Sequence, residues 1–345
     1  MNKKFYIYFV VGLIGNIIGM YTYRYILNPT SKETILKQQN TYHSLWDAVM
    51  FGSYEDVEQC IAQGASVTEY NGASALHAAA DRGDVQIAEL LLKHGADIHA
   101  KSYESGWTPL HQAAYVGPVE IAQFFLAHGA DVNEKSKPIS QDVYDVQETA
   151  LHVAARTGRL FMVQFLVEHG AQVNAHCVET DACTPLHQAV LSGDVQIVAY
   201  LIEHGATAKD IPGAQPLLIT ACLHEGTEML ELLVSHGYDI NEEGEEGNTP
   251  LMVAIRHNHE EQVKYLLEQH ADPNQEDCHG DTPLHQAIED NNCAIAQLLI
   301  DHGADLNYTD ILDRTALDRA LYYGQEEMIA LLTAHGAMQN QNINA

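Results

Sequence analysis

The sequence has few positive charges, and those it has are concentrated near the N-terminus. Its 345 residues contain 17 Lys and Arg against 47 Asp and Glu, which gives a formal charge of −30. Five of the cations lie in the first 37 residues, where Glu33 is the only acid, so the remainder carries 46 acids and 12 bases. Such an excess of carboxylates repels phosphate groups. Nucleic-acid binding by the body of the protein is therefore not expected.

Motifs for catalysis and cofactor binding are also missing. The sequence has no G-x-S-x-G, P-loop or G-x-G-x-x-G motif, and none of its 20 histidines belongs to a His-Glu-x-x-His pattern. Its 6 cysteines are too sparse for a disulfide scaffold and include no Cys-x₂-Cys frame. We therefore predict no enzyme activity, cofactor or metal. A catalytic or metal-dependent function grafted onto the repeats described below is the alternative from a different class.

One uncharged, largely apolar stretch stands out, at residues 5–23. It is long enough to cross a bilayer as a helix, and aromatic residues occupy both of its ends. We predict a transmembrane helix or signal-anchor over residues 5–27, followed by a linker and N-terminal cap over residues 28–42. A cleaved signal peptide is the main alternative, but no small-x-small cleavage site follows the apolar stretch. A buried core helix is the third alternative.

The charges around this segment give opposing signals about its orientation. Lys3 and Lys4 precede it and favour a cytoplasmic N-terminus, which places the rest of the chain on the extracytoplasmic side. Arg24, Lys32 and Lys37 follow it and favour the reverse. We favour the extracytoplasmic location. A location at the cytoplasmic face, or secretion after cleavage, remains open.

The rest of the chain is built from a recurring short block, which self-comparison detects before any residue-level argument. Successive copies of the block begin 31 to 41 residues apart. The largest spacing reflects about eight extra residues within segment 134–147. T-P-L-H stands at 108–111, 184–187 and 282–285, S-A-L-H at 74–77, T-A-L-H at 149–152, T-P-L-M at 249–252, T-A-L-D at 315–318, H-S-L-W at 43–46 and Q-P-L-L at 215–218.

A second block follows about 20 residues after the first, as in H-G-A-D-V-N at 128–133 and H-G-A-D-L-N at 302–307. The two blocks in register resemble the ankyrin repeat family. The resemblance implies an all-α solenoid of about nine helix-turn-helix repeats with β-hairpin-like fingers over residues 43–337, followed by a polar tail over 338–345. It also implies a monomeric solenoid whose concave and finger surface binds another protein.

The physical chemistry of the blocks supports the same fold. Thr108 and Pro109 form a helix start, with the hydroxyl as N-cap and the proline at the first helical position. Ile121 and Phe125 lie at helical spacing in the second helix, and Gly129 supplies a left-handed residue after it. One such unit cannot bury its apolar face alone, so the stability comes from stacking.

The repeat pattern accounts for most histidines and cysteines. Thirteen of the 20 histidines occupy motif or helix-end positions, and the His257–His259 cluster is a weak metal candidate. Cys60, Cys222 and Cys293 fall in helical stretches and are predicted to be small core residues. Cys177 and Cys183 flank one finger and could pair only in an oxidising compartment.

Partner-binding candidates come from the positions that the resemblance places on the concave side, seven and eight residues after the start of each block. Tyr115, Val116 and Leu191 are large apolar residues there, and Arg156 lies nearby in sequence register. The alternative is that these side chains pack against the long finger at 134–147. The aromatic residues predicted to complete the candidate set are Tyr103, Trp107 and Tyr144.

Segment 242–246 concentrates four carboxylates, from Glu242, Glu243, Glu245 and Glu246. It lacks the ligand spacing of a calcium loop. A solvated loop is one interpretation, and electrostatic attraction of a partner with a basic patch is the other. The whole sequence predicts a membrane-tethered scaffold or adaptor that binds another protein. The alternative is an exported effector after signal cleavage.

Overall fold

The computed structural model of the chain describes residues 44–68, 73–103, 105–137, 147–177, 184–208 and 215–340. The predicted membrane segment 5–27 and the linker 28–42 lie outside these ranges, as do the last five residues of the polar tail. Within the described ranges, no helix has the length and apolar character needed to span a bilayer.

Eighteen α-helices follow one another in the described residues as nine pairs, and we call each pair with its preceding finger a repeat. The first helices are α1 Leu45–Phe51, α3 Ala75–Arg82, α5 Pro109–Tyr115, α7 Ala150–Arg156, α9 Pro185–Ser192, α11 Leu217–Ala221, α13 Pro250–Arg256, α15 Pro283–Glu289 and α17 Ala316–Tyr323. The second helices are α2 Tyr54–Ala62, α4 Val85–Lys93, α6 Val119–Ala127, α8 Leu160–Glu168, α10 Val195–Glu203, α12 Glu228–Ser235, α14 Glu260–Glu268, α16 Cys293–Asp301 and α18 Glu326–Ala334.

The predicted all-α fold is confirmed, but the fingers between repeats are turns rather than strand pairs. No β-strand occurs in the described ranges. A finger is closed by a single cross-turn bond, as from Ser102 N–H to the Trp107 carbonyl at 2.8 Å, or from Gly244 N–H to the Asn248 carbonyl at 2.9 Å. One such bond per finger is too little pairing to build the alternating ladder of a hairpin.

The first helices begin where the sequence predicts. The Thr108 hydroxyl accepts from the His111 N–H, and Pro109 occupies the first turn. The His111 ring completes the cap, because its Nδ1 lies 2.8 Å from the same hydroxyl and accepts from the Thr108 N–H. The motif histidine thus replaces the glutamate of an ordinary capping box.

Seven of the nine described second helices end at a histidine followed by glycine, and the exceptions are α2, which ends at Gln63, and α14, which ends at Gln269. His128 Nδ1 lies 2.8 Å from the Phe124 carbonyl and satisfies one of the free acceptors at the helix end. Gly129 then adopts the left-handed conformation with φ +97°, as the sequence predicts. The asparagine of the second block joins neighbouring repeats, since Asn133 donates to the Gly170 carbonyl and accepts from Gln172 N–H.

Stacking produces one continuous core. First helices pack against the first helices of neighbouring repeats, and second helices do the same. Ala113 and Ala114 are fully buried between the first helices, where small side chains allow close approach. Ile121 and Phe125 are buried in the second-helix row. Among the cysteines, Cys60 and Cys293 pack against this core, and Cys222, immediately after α11, is buried in it.

Candidate functional site

The ends of three neighbouring first helices form the surface to which the sequence assigns partner binding. Helices α5, α7 and α9 pack side by side, so their last residues occupy equivalent positions in consecutive layers. The residues at these ends are Tyr115 with Val116, Arg156 with Thr157, and Leu191 with Ser192. The repeat register alone therefore places the sequence-predicted residues along one edge of the solenoid.

The third repeat carries most of the exposed apolar surface at this edge. Trp107 precedes α5 and Tyr115 ends it, and their rings lie 5.4 Å apart with an interplanar angle of 54°. Both are half-buried and pack against the core. Val116 is 38% exposed and Tyr103, in the preceding finger, is 51% exposed. We call Tyr103, Trp107, Tyr115 and Val116 the aromatic patch.

A buried histidine positions the backbone under this patch. His77 Nε2 donates to the Trp107 carbonyl at 2.8 Å, and His111 Nε2 makes the equivalent bond to the Glu148 carbonyl at 2.9 Å. Burial lowers the pKa of both rings to about 4, so they are neutral at physiological pH. These two motif histidines therefore join a helix to the next finger through a fixed hydrogen bond, and we call such a contact an imidazole strut.

Arg156 is already engaged by a residue of its own repeat. Its Nη2 lies 3.1 Å from Glu148 Oε2, and both side chains are mostly shielded from solvent. A partner that used this guanidinium would have to compete with the carboxylate or contact the exposed edge of the pair. Leu191 is half-buried, without the exposure of Val116. A role in binding for either residue remains a prediction.

Two sequence predictions concern residues outside the described ranges. Tyr144 lies within the long finger, and Cys183 lies in the following one. The base of the long finger is described, and there the Ser136 N–H donates to the Glu148 carbonyl at 2.7 Å. Cys177 is buried. Packing of the concave residues against the long finger, and pairing of Cys177 with Cys183, therefore remain predictions.

The acidic finger, residues 242–246, lies at the surface before the seventh repeat. Glu242, Glu243, Glu245 and Glu246 are all exposed. The next finger holds its backbone, because Cys278 N–H donates to the Glu246 carbonyl at 2.7 Å. The Gln275 amide also donates to Glu243 Oε1 at 2.7 Å. A finger supported in this way presents its carboxylates at a fixed position.

No group of three or more His, Cys, Asp or Glu side chains within the described ranges has a geometry suited to a metal ion. The rings of His257 and His259 stack 5.7 Å apart. His259 Nδ1 lies 3.1 Å from the Cys222 carbonyl and 3.2 Å from Gln262 Oε1. The contact with the Cys222 carbonyl joins the seventh repeat to the sixth.

Sequence reasoning missed a buried charge cluster in the last two repeats. Arg319, 3% exposed, contacts Asp310 Oδ2 through Nη2 at 2.6 Å and Asp281 Oδ2 through Nη1 at 3.1 Å. Arg314 Nε also donates to Asp310, at 2.8 Å. The only available signal was Asp318 in place of the motif histidine, which predicts an atypical end repeat but not this cluster.

Comparisons with known proteins agree with the geometry. A family model described as ankyrin repeats (3 copies) matches residues 45–136, 138–211, 207–277 and 269–344. Among 617 matching chains of solved structures is the crystal structure of the human ASB11 ankyrin repeat domain. It is 25% identical, with a TM-score of 0.53, and the match covers 78% of this chain and all of that domain. None of the curated proteins matches the chain.

Proposed function

Because the chain belongs to the ankyrin-repeat family, whose members generally serve as protein–protein interaction modules, we propose that it is a scaffold or adaptor that binds another protein through its concave and finger surface. Binding is non-covalent and needs no cofactor. The aromatic patch is the observation that supports this proposal most directly. The equivalent helix ends of the second and eighth repeats carry charged residues, Asp81 with Arg82 and Glu289 with Asp290, whereas the ninth repeat carries a second exposed aromatic pair, Tyr322 with Tyr323.

The patch has the features of an interaction hot spot. Its ring pair is fixed by packing on the core and by the His77 bond to the Trp107 carbonyl, so little side-chain entropy is lost on binding. Tyr103 and Val116 add exposed apolar area on either side of the rings. Rigid aromatic anchors with apolar surroundings carry a large share of the energy in many protein interfaces.

The acidic finger favours a partner with a basic patch. Its four exposed glutamates belong to a chain segment that is strongly negative overall. Like charges on a partner would be repelled, and a basic surface would be drawn to the finger before close contact forms. The finger therefore contributes mainly to the association rate, while the aromatic patch contributes to the lifetime of the complex.

The proposed membrane tether rests on the sequence of residues 5–27. An anchor would confine the repeats to a membrane surface and raise their effective concentration for partners there. We favour the extracytoplasmic side. The second candidate, an exported effector released by signal cleavage, uses the same binding surface on a soluble, shortened chain. Recovery of the intact chain in the membrane fraction supports the tether, and recovery of a shortened soluble chain supports the effector.

A site-directed photocrosslinking experiment tests the binding surface. A benzophenone amino acid is placed at Val116 or Tyr103 in the aromatic patch of the full-length protein, which is expressed in its native cells. The matched control carries it at Phe161 in α8, which is 78% exposed but lies in the second-helix row. We expect the same crosslinked partner from both patch positions and none from Phe161. The same partner crosslinked only from Phe161 would show that the surface is wrong.

Substitutions then separate the two parts of the surface. Val116→Asp should weaken binding about tenfold or more, since it buries a charge against apolar partner surface, whereas Val116→Ala should have a small effect. Replacing the four finger glutamates by glutamine should slow association and remove most of its salt dependence. An association rate that is insensitive to both salt and these substitutions would exclude electrostatic attraction by the finger.

A further inference from the structure

The sixth repeat departs from the pattern at the start of its first helix. Helix α11 has five residues, whereas every other first helix in the described ranges has seven or eight. It begins at Pro216 without a side-chain cap, because Gln215 and Leu218 replace the hydroxyl and imidazole residues of the T-P-L-H block. The other eight first helices all begin at a capping serine or threonine.

The connection after α11 is also unusual. Six residues, 222–227, join α11 to α12, whereas two or three residues join the helices of every other described pair. Helix α12 begins at Thr227, whose backbone is already helical and whose side chain forms no cap. The second helices α6, α8, α14 and α18 also lack a side-chain cap, but each of them follows a capped first helix. The sixth repeat is therefore the one described repeat in which neither helix is capped, and a cap contributes roughly 1 kcal/mol to a helix.

Side chains from both neighbours hold the connection in place. His224 Nε2 reaches back to the Val190 carbonyl at 2.9 Å in the fifth repeat. From the seventh repeat, Gln262 donates to the Gly226 carbonyl at 2.7 Å, and His259 Nδ1 lies 3.1 Å from the Cys222 carbonyl. Each bond spans two repeats, so the segment depends on its neighbours for the contacts that caps provide elsewhere.

The core contacts of the sixth repeat are nevertheless complete. Leu217, Leu218 and Ile219 are each at most 3% exposed. A helix of five residues has few internal hydrogen bonds, and forming its first turn is costly, so it persists only through tertiary packing. A helix with weak local structure that lies between two well-packed neighbours can open locally without global unfolding of the protein.

We propose that residues 215–227 form a joint, which opens at a lower free-energy cost than its neighbours and divides the solenoid into two cooperative arms. Repeats one to five form the first arm and carry the aromatic patch. Repeats seven to nine form the second arm, and the acidic finger leads into it. The finger contacts the joint directly, because Gly244 packs closely against the Ile219 side chain. There is no room for a larger residue here, since an added Cβ would lie 2.6 Å from Ile219 Cδ1. The joint thus sets the relative orientation of the two parts of the binding surface.

Hydrogen exchange measured by mass spectrometry tests the joint on the full-length protein in a mild detergent. We expect the amides of 217–227 to exchange at least tenfold faster than those of α9 and α13, which occupy the flanking repeats and pack in the same row. Equal protection across α9, α11 and α13 would overturn the proposal. The result does not depend on whether a partner binds, so it is separate from the proposed function.

Two double substitutions in the first block sharpen this test. Gln215→Thr with Leu218→His rebuilds T-P-L-H, and the new imidazole can reach the Asn248 carbonyl, which is in register with Trp107 and Glu148. We expect exchange in 217–227 to slow roughly fivefold, which corresponds to the usual contribution of one cap. Leu218→His alone is the control and should speed exchange, because it buries a ring without its hydroxyl partner.

The converse pair, Thr184→Gln with His187→Leu, transfers the Q-P-L-L block into the fifth repeat. We expect faster exchange in α9, so that a second joint appears next to the first. If the rebuilt variant does not fold, the converse pair decides alone. Unchanged protection of α9 in that variant would show that the block residues do not determine where the solenoid opens.

Discussion

The second and third repeats are joined to the next finger by neutral imidazoles, whereas the last repeat is joined by a buried guanidinium. His77 and His111 each reach a finger carbonyl through Nε2. In the eighth repeat His285 caps Thr282 through Nδ1, and its buried Nε2 meets the Arg314 backbone only outside ordinary hydrogen-bond geometry. Arg319 of the ninth repeat contacts the flanking fingers instead, through Asp281 and Asp310.

This difference follows from the position of each repeat in the stack. An internal repeat is covered on both sides, so a neutral strut of low desolvation cost completes it. Within the residues that the structure describes, no further repeat packs on the outer face of the ninth, and Leu321 is 39% exposed there. A charge cluster can stabilise such an end only if every member is paired. The imidazole contacts and the charge cluster should therefore be lost under different conditions.

Acidification should reduce the stability of the protein more than any substitution described below. It should first affect the repeats that are held by imidazole contacts. Burial lowers the pKa of His77, His111 and His187 to about 4, from an ordinary value of 6.5. Between these values the unfolded chain binds protons that the folded chain does not, so stability is complete above pH 6.5 and falls toward pH 4. At about 1.4 kcal/mol per pKa unit, each ring costs on the order of 3 kcal/mol at most.

The charge cluster responds at lower pH. Burial alone would raise the pKa of Asp310, but hydrogen bonds from Arg314 and Arg319 hold it well below its ordinary value of 3.8. Its stabilising contribution is therefore present above pH 3.8 and is lost only below it. Hydrogen exchange at a series of pH values should show loss of protection in α3, α5 and α9 before α17. Simultaneous loss above pH 4 would contradict the comparison.

Removal of the guanidinium should have the largest effect of any single substitution. Arg319→Ala leaves the Asp310 carboxylate buried with only Arg314 beside it, and uncompensated buried charges cost roughly 3 to 5 kcal/mol. Urea unfolding, with hydrogen exchange in α17 and α18, measures the loss. Arg314→Ala is the matched control, because that side chain is 30% exposed. Equal losses in the free energy of unfolding for the two variants would mean that the burial of Arg319 does not increase its contribution to stability.

Loss of one imidazole strut should cost less. In His111→Met the Thr108 hydroxyl still caps the helix, and the Glu148 carbonyl keeps its bond from Ser136 N–H. We expect a loss of about 1 to 2 kcal/mol, measured by the urea midpoint. The seventh repeat already tolerates this arrangement, with Thr249 and a buried Met252. Global unfolding of the variant would show that the strut is indispensable.

The ion pair of the candidate interface should have the smallest effect. The Arg156 side chain is 20% exposed and that of Glu148 is 11% exposed, so the pair is largely shielded, and we expect its loss to cost about 1 kcal/mol, the upper end of the range for exposed pairs. Arg156→Ala should therefore leave the melting temperature within a few degrees of the original, which differential scanning fluorimetry can check. Its effect on partner binding then reports contact with the partner rather than loss of structure. A large drop in melting temperature would make the variant unusable for that purpose.

Much of the local structure could be predicted from the blocks. Thr108, Pro109 and Gly129 identified a helix start and a helix end, because capping depends on residues close together in sequence. The sequence also identified Tyr115 and Val116 as concave candidates by register. It could not predict that Trp107 would lie against Tyr115, since that contact depends on how the finger folds back onto the helix.

The weak sixth repeat was visible in the sequence as Q-P-L-L, but its consequence was not. The shortened α11, the six-residue connection and the bonds from His259 and Gln262 required the stacked neighbours. The same holds for Arg156, which the sequence placed near the aromatic candidates and the structure pairs with Glu148.

The sequence by itself determined the repeat, its helices, its caps and the acidity of its surface, because each of these depends on neighbours within a few residues or on composition alone. Only the tertiary structure decided which charges are buried together, which aromatic rings touch and where the stack is weakly joined. Those properties depend on how a finger folds back on its helix, as for Trp107 and Tyr115, and on residues that stacking brings together, as for Arg319 and Asp281, which are 38 positions apart.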